Sequence, residues 1–248
     1  MELKNKKKIL ITAPVHQNEK VFKEYLNSIN NLIIPNGYEV DLFFYLHNCS
    51  ELKNFLKENQ YKEVFDNCKY DIFSHEFKKE NYSALSYMRT AALQKAREEN
   101  YDYVFSVDSD ILLHPKTLIV LLNNNKDIVG EINWSYTLDR QKIVPNCYDL
   151  EYWQWRKDIS ILMEKGLYEI GIISATVLIG PRIIQNKKID YYPIPNIDCS
   201  QWEDYAFSLK AHIAIPDLQM YIDTKLPGRH LYQQEDYERW IEEKKKYE

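Results

Sequence analysis

The stretch Val104-Phe105-Ser106-Val107-Asp108-Ser109-Asp110-Ile111 is an apolar run that stops abruptly at two carboxylates two residues apart. Its length and its aromatic and β-branched content predict a buried strand over Tyr103–Val107. In extended backbone, residues i and i+2 point to the same side. Asp108 and Asp110 can therefore converge on one point at the strand's carboxyl end. Two hard oxygen ligands in that position suit Mg²⁺ or Mn²⁺. On the triplet alone, two acids that cap the following turn are an equal reading.

Moving outward, helical and strand patterns alternate. Ile9-Leu10-Ile11, ended by Pro14, predicts a first strand over 8–13, and Phe22, Tyr25, Leu26, Ile29 and Leu32 recur at helical spacing over 21–32. Asn36-Gly37 turns the chain into a second strand over 40–46. A short helix over 51–57 and a third strand over 70–73 follow. Leu85, Met88, Ala92, Leu93 and Ala96 then mark a helix over 82–98, directly before the acidic strand end. His114-Pro115 opens a further helix to about Leu122, and Ile128-Val129 begins the next strand. In the less regular second half, strands are expected over 177–179 and 220–223, with a helix over 202–212 and a charged helical tail over 234–247.

Strands alternating with helices of these lengths imply βαβ units. The fold class is α/β, with a mostly parallel central sheet flanked by helices. In such sheets ligands bind beyond the carboxyl ends of the strands, which is where Asp108 and Asp110 stand.

The 248 residues suit one α/β domain, and 45% hydrophobic with 28% charged content excludes a disordered chain. A net charge of −5, with no basic block, weighs against a nucleic-acid partner. Four cysteines, Cys49, Cys68, Cys147 and Cys199, lack metal-ligand spacing and read as free thiols in a reducing compartment. No apolar run is long enough to span a bilayer. The expected location is cytoplasmic, with at most peripheral membrane contact.

The chain resembles GT-A fold glycosyltransferases, and the family 2-like group in particular. Asp108-Ser109-Asp110 looks like their DxD motif. Ala13-Pro14-Val15-His16-Gln17-Asn18-Glu19, followed by Leu26-Asn27-Ser28-Ile29, is similar to the first strand, nucleotide loop and first helix. Tyr87-Met88-Arg89-Thr90-Ala91-Ala92-Leu93 resembles the helix before the DxD strand, and Trp202-Glu203-Asp204-Tyr205 the later "xED" motif. Tyr221-Ile222-Asp223-Thr224, followed by Gly228-Arg229-His230-Leu231, resembles the closing strand and a metal-binding histidine. The matches fall in family order from about residue 8 to residue 232.

The resemblance implies a single catalytic domain over 1–233, with a nucleotide-binding half over 8–132, an acceptor half over 133–233, and a helical tail over 234–248. It places Ala13, Pro14 and His16 beside the nucleobase and ribose; an exposed loop histidine is an equal reading of His16. Where the family has an aspartate after its second strand this chain has His47-Asn48-Cys49-Ser50, and Asn48 can hydrogen-bond a uracil or ribose. Arg89 would reach the nucleotide or its diphosphate; a solvated surface arginine is the competing reading. Asp108 and Ser109 would line the donor site. Asp110 would be the direct metal ligand, Asp108 would touch ribose or the metal through water, and His230 would complete the shell. Asp204 would be the catalytic base, with Glu203 beside it on the acceptor side; helix capping competes for Asp204. The small residues of Gly171-Ile172-Ile173-Ser174-Ala175-Thr176 would let the donor sugar approach the backbone. The aromatic residues Trp134, Tyr136, Tyr148, Tyr152, Trp153 and Trp155 suit a sugar or peptide acceptor, or simple packing.

The expected activity is therefore metal-dependent transfer of a sugar from a nucleotide donor, a UDP-sugar, to an acceptor hydroxyl with Mn²⁺ or Mg²⁺. The acceptor (protein, glycan or small molecule) is not specified by the sequence. Two alternatives remain: a phosphohydrolase with Asp108 as nucleophile, and a non-catalytic module that binds nucleotide-sugars or glycans. A dinucleotide-binding or nucleotidyltransferase loop is absent, since the first of six glycines is Gly37. Asp236-Tyr237-Glu238-Arg239-Trp240 is one residue away from the QxxRW motif of processive synthases, a match read as chance.

Overall fold

The structure is a computed structural model that describes residues 6–47, 49–58, 70–75, 81–136, 142–149, 159–197 and 202–246. In chain order the strands are β1 (Lys7–Val15), β2 (Tyr38–His47), β3 (Tyr70–His75), β4 (Tyr103–Val107), β5 (Ile111–Leu112), β6 (Ile128–Tyr136), β7 (Ile143–Pro145), β8 (Cys147–Tyr148), β9 (Leu167–Glu169), β10 (Ile172–Ile173), β11 (Thr176–Ile179) and β12 (Met220–His230). The α-helices are α1 (Glu19–Asn30), α2 (Ser50–Glu58), α3 (Asn81–Glu98), α4 (Thr117–Asn123), α5 (Pro181–Ile184), α6 (Glu203–Ala214) and α7 (Gln234–Lys244).

The main sheet runs β3-β2-β1-β4-β11-β6-β12-β5. β3, β2, β1 and β4 are parallel neighbours, and β6 is parallel to β12. Ile9, Leu10 and Ile11 of β1 are all fully buried, as expected of a central parallel strand covered on both faces. One face carries α3, α5 and α6, with Met88, Leu93, Ile183 and Phe207 in its apolar cluster. The other carries α1, α2 and α4, with Phe22, Leu26, Leu52 and Leu118. Asn18 starts α1 by accepting a hydrogen bond from the Val21 N–H at 3.1 Å, a side-chain cap on an otherwise orphan donor.

Two expectations change in detail. The helix after His114-Pro115 begins at Thr117. His114 and Pro115 form a turn instead, closed by Thr117 N–H to the His114 carbonyl at 2.9 Å and pinned by Ile33 N–H to the Pro115 carbonyl at 2.8 Å. The strand expected over 220–223 continues to His230, with a register shift between Asp223 and Gly228. That irregularity accommodates Pro227, which has no N–H for the ladder. The strand expected over 177–179, whose direction the sequence left open, is β11, and it lies antiparallel between β4 and β6; of the other seven pairings of this sheet among the described residues, four are parallel.

Gly130 shows how tightly β11 is inserted. A Cβ there would collide with Ile173 Cδ1 and lie 2.5 Å from the Thr176 carbonyl oxygen. The isoleucine can rotate away, but the backbone carbonyl cannot. Gly130→Ala is expected to destabilise by about 1–3 kcal/mol, the usual cost of overpacking, read as a lower urea midpoint with an unchanged slope.

The tail helix α7 returns to the body of the protein. Trp240 and Tyr237 pack against Val21, Leu112 and Leu231, and the Trp240 indole N–H donates to Glu24 at 3.1 Å. No helix among the described residues is long and apolar enough to cross a membrane.

Candidate active site

The carboxyl ends of β1 and β4, the tip of β12 and the start of α6 surround a cavity of about 530 Å³. Its lining includes Pro14, His16, Arg89, Asp108, Ser109, Asp110, Glu203, Asp204 and His230. Eight of the sequence-derived site residues other than Asp108 thus meet there with it, although they are spread from Pro14 to His230, over most of the chain. Ala13 does not line it; its side chain is fully buried in the apolar cluster behind β1. Asn48, Tyr152, Trp153 and Trp155 lie outside the described residues.

Arg89 organises the cavity floor. It is 6% exposed, so the surface-arginine reading does not hold. Its Nη2 donates to Asp108 at 2.7 Å and its Nη1 to the Ser106 hydroxyl at 3.2 Å. Its Nε lies 3.4 Å from Glu203 and 3.9 Å from Asp204. The guanidinium also sits 5.9 Å from the Tyr191 ring, which stacks on Phe207 at 4.3 Å. The fixed planar fork of arginine suits this several-sided task. One buried cation thereby joins the end of β4 to the first turn of α6.

The acids respond to this crowding. Burial pushes the Asp108 carboxyl up, against the pull of Arg89. Burial, and then the neighbouring Glu203 charge, hold Asp204 well above the usual carboxylate range despite Arg89. A raised carboxylate facing a cavity is what a proton acceptor operating near neutral pH requires.

Asp110 faces the other way. Its Oδ2 accepts from Gln17 Nε2 at 3.1 Å, and its Oδ1 lies 3.5 Å from His230 Nε2. His230 Nδ1 is hydrogen-bonded to the Ser135 hydroxyl. Burial opposes charge on His230, yet the Asp110 hydrogen bond and charge outweigh it and raise its pKa. Fixing Nδ1 leaves Nε2 directed at Asp110, the usual way a second partner orients a ligating histidine. Among the described residues no group of three His, Cys, Asp or Glu forms a closed metal cage. The oxygen and nitrogen pair of Asp110 and His230 fits an open divalent site, where water and phosphate oxygens complete the shell.

Local backbone supports the arrangement. Ala175 lines the cavity with φ +65°, a left-handed conformation costly for a residue with a Cβ. Its carbonyl accepts the Asp108 N–H at 2.8 Å, which holds the acidic turn against β11. Sequence reasoning did not single out Gln17, Asn133, Ser135 or Asn146 as site residues. Polar residues at Glu131, Asn133 and Ser135, alternating with Ile132 and Trp134, were the available signal of a strand with one polar face.

A family profile described as "Glycosyltransferase family 25, N-terminal domain" matches residues 41–234. The chain belongs to that family. A curated relative, procollagen galactosyltransferase 1-A of Xenopus laevis, is 28% identical over 162 residues, 60% of this chain. The chain spans about a quarter, 25%, of that relative's length. Among solved structures, S. aureus TarS (residues 1–349) in complex with UDP-GlcNAc superposes with a TM-score of 0.54 at 15% identity, covering 92% of this chain and 60% of that one. GalNAc-T7 with UDP, GalNAc and Mn²⁺ gives 0.58 at 11% identity, covering 96% and 48%. The family 25 chain thus has the GT-A glycosyltransferase fold, in agreement with the resemblance read from its motifs.

Proposed function

We propose that this chain transfers a sugar from a nucleotide-sugar donor, a UDP-sugar, to an acceptor hydroxyl with inversion. The observation that carries the reading is one cavity holding both the Asp110–His230 pair and the raised carboxyl of Asp204, linked by Arg89 and Asp108. The UDP-sugar complex of TarS and the UDP and Mn²⁺ of GalNAc-T7 support the donor class.

Asp110 and His230 would hold Mn²⁺ or Mg²⁺, with Asp108 reaching it through water. A divalent ion bound there supplies positive charge to the departing diphosphate. Asp204 takes the acceptor proton as the hydroxyl oxygen forms its bond to the anomeric carbon and the UDP leaves from the opposite face. Arg89 sets the spacing between Asp204 and the donor end of the cavity. The nucleotide would sit on residues 8–132, and the acceptor would approach from 133–233, the part that also lends His230 to the metal. A second cavity of about 330 Å³ shares Ser135, Tyr136, His230 and Tyr232 with the first and adds Trp134, Arg229 and Arg239. Its aromatic walls suit an approaching acceptor.

The test is the unfolding midpoint with UDP, GDP, CDP or ADP, each with and without Mn²⁺. A ligand at 100 times its Kd stabilises the folded state by about 2.7 kcal/mol, or roughly 5–10 °C at this chain length. UDP is expected to give that shift only with Mn²⁺, and Asp110→Ala to abolish it. A shift by no nucleotide in either metal state would sink the transferase reading.

A further inference from the structure

We propose that the side-chain amide of Asn133 recognises a hydroxyl group of the transferred sugar; the assignment rests on the glycosyl-transfer reading above. Asn133 lies on β6 at the cavity wall, two residues before Ser135, and is 1% exposed. Its backbone is fully committed. The N–H donates to Asn146 Oδ1 at 2.9 Å, and the carbonyl accepts from the Asn146 N–H at 3.2 Å. Asn146 in turn ties the carbonyls of Glu131 and Ser174 together at 3.1 and 2.9 Å. The strand is therefore pinned, and the residue's position is not adjustable.

The Asn133 side chain is a different matter. Neither its Oδ1 nor its Nδ2 has a hydrogen-bond partner among the described residues, and neither is open to solvent. Its cross-strand neighbour in register is Gly228, which has no side chain to offer. Buried polar groups are paired in nearly all native proteins, because each unpaired one costs free energy. An amide left unpaired on both ends at a cavity wall is therefore waiting for a partner that the cavity admits.

The chemistry of the partner follows from the two free ends. A diphosphate offers only acceptors and would satisfy Nδ2 alone. A metal ion would satisfy Oδ1 alone. A sugar hydroxyl both donates and accepts, so it or a neighbouring pair of hydroxyls answers both ends of a carboxamide. The low exposure means the sugar seats at the cavity floor, with the amide turning about its soft χ2 torsion to meet it. A site built to bond a hydroxyl rejects analogues that lack it or place it elsewhere. Ribose and uracil also answer both ends of an amide, but they are assigned to Pro14 and His16 at the end of β1, whereas Asn133 is tied through Asn146 to Ser174 in the small-residue loop given to the donor sugar; on that placement Asn133 selects among sugars rather than holding the nucleotide.

The test compares binding of UDP with binding of UDP-glucose, UDP-galactose and UDP-N-acetylglucosamine, all with Mn²⁺, by calorimetry. For the best-bound UDP-sugar, Asn133→Ala is expected to weaken affinity by about tenfold to a hundredfold, the loss that follows an orphaned buried hydrogen bond. UDP affinity should stay within about twofold, since UDP makes no contact with Asn133 on this account. Asn133→Leu, which fills the same space without polar atoms, should show the same pattern and an unfolding midpoint no lower than wild type. Equal weakening of UDP and UDP-sugar, or weakening of neither, overturns the role of Asn133 while leaving the transferase reading intact. Wild-type protein that binds no nucleotide at all overturns both.

Discussion

Arg89→Ala is expected to lower the unfolding midpoint by roughly 10 °C and to abolish activity. Removing one partner from a buried charge cluster costs about 3–5 kcal/mol, because the remaining charges are left uncompensated. At this chain length each kcal/mol is worth about 2–4 °C. Three carboxylates depend on this one guanidinium, whose side chain is 5% exposed while the side chains of Asp108 and Glu203 are 28% and 9% exposed. Asp108 and Asp204 are already held above the ordinary range by burial. Without Arg89 both rise further and take up protons. The folded variant then binds more protons than the unfolded chain between the ordinary carboxylate pKa and the raised values, so its stability falls as pH rises through that window. The destabilisation should be larger at pH 8 than at pH 5. Adding Glu203→Gln to Arg89→Ala should restore part of the loss. Arg89→Lys should not, since a single ammonium cannot reach Ser106, Asp108 and Glu203 together. Urea melts of the four proteins at the two pH values decide the matter. A midpoint unchanged by Arg89→Ala would mean the cluster carries no net charge worth neutralising.

That cluster also marks where sequence reasoning reached its limit. β4 and its two acids were legible because an apolar run ending in Asp108 and Asp110 is a local pattern. α1 and α3 were legible from their periodicity. The partnership of Arg89 with Asp108, Glu203 and Asp204 was not, because it depends on where α6 docks against α3. The reach of β12 to His230 was hidden by Lys225-Leu226-Pro227-Gly228, where proline and glycine interrupt the strand pattern; pairing with β6 on both sides of the irregularity, and with β9 and β5 on the other edge, keeps it extended. The direction of β11 was equally hidden, since four consecutive buried residues carry no sign of parallel or antiparallel pairing. Asn133 was readable in part. The alternation of Glu131, Asn133 and Ser135 could be seen, but not that the amide lacks a partner, which requires the positions of Asn146 and Gly228.

Asp204→Asn separates catalysis from helix capping at the start of α6. If Asp204 is the base, the variant should lose about 10²–10⁴ in kcat, the range for removal of a positioned general base, with UDP and Mn²⁺ binding retained. Wild-type kcat should rise with pH through the Asp204 pKa, because only the ionised carboxylate accepts the proton, and that rise should sit above the ordinary value near ~4 for an aspartate. The variant's residual rate should lack this rise. The stability sign is opposite to that of a cap. With its pKa raised by burial and by Glu203, Asp204 costs stability as pH rises from the ordinary to the raised value, because the folded state must give up a proton it holds more tightly than the unfolded chain does. Above that window Asp204→Asn should be at least as stable as wild type. A capping acid would behave the other way, losing up to about 1 kcal/mol of helix-end stabilisation when neutralised while the rate stayed near wild type. Loss of rate with no loss of stability assigns Asp204 to proton transfer; loss of stability with the rate preserved assigns it to the helix end.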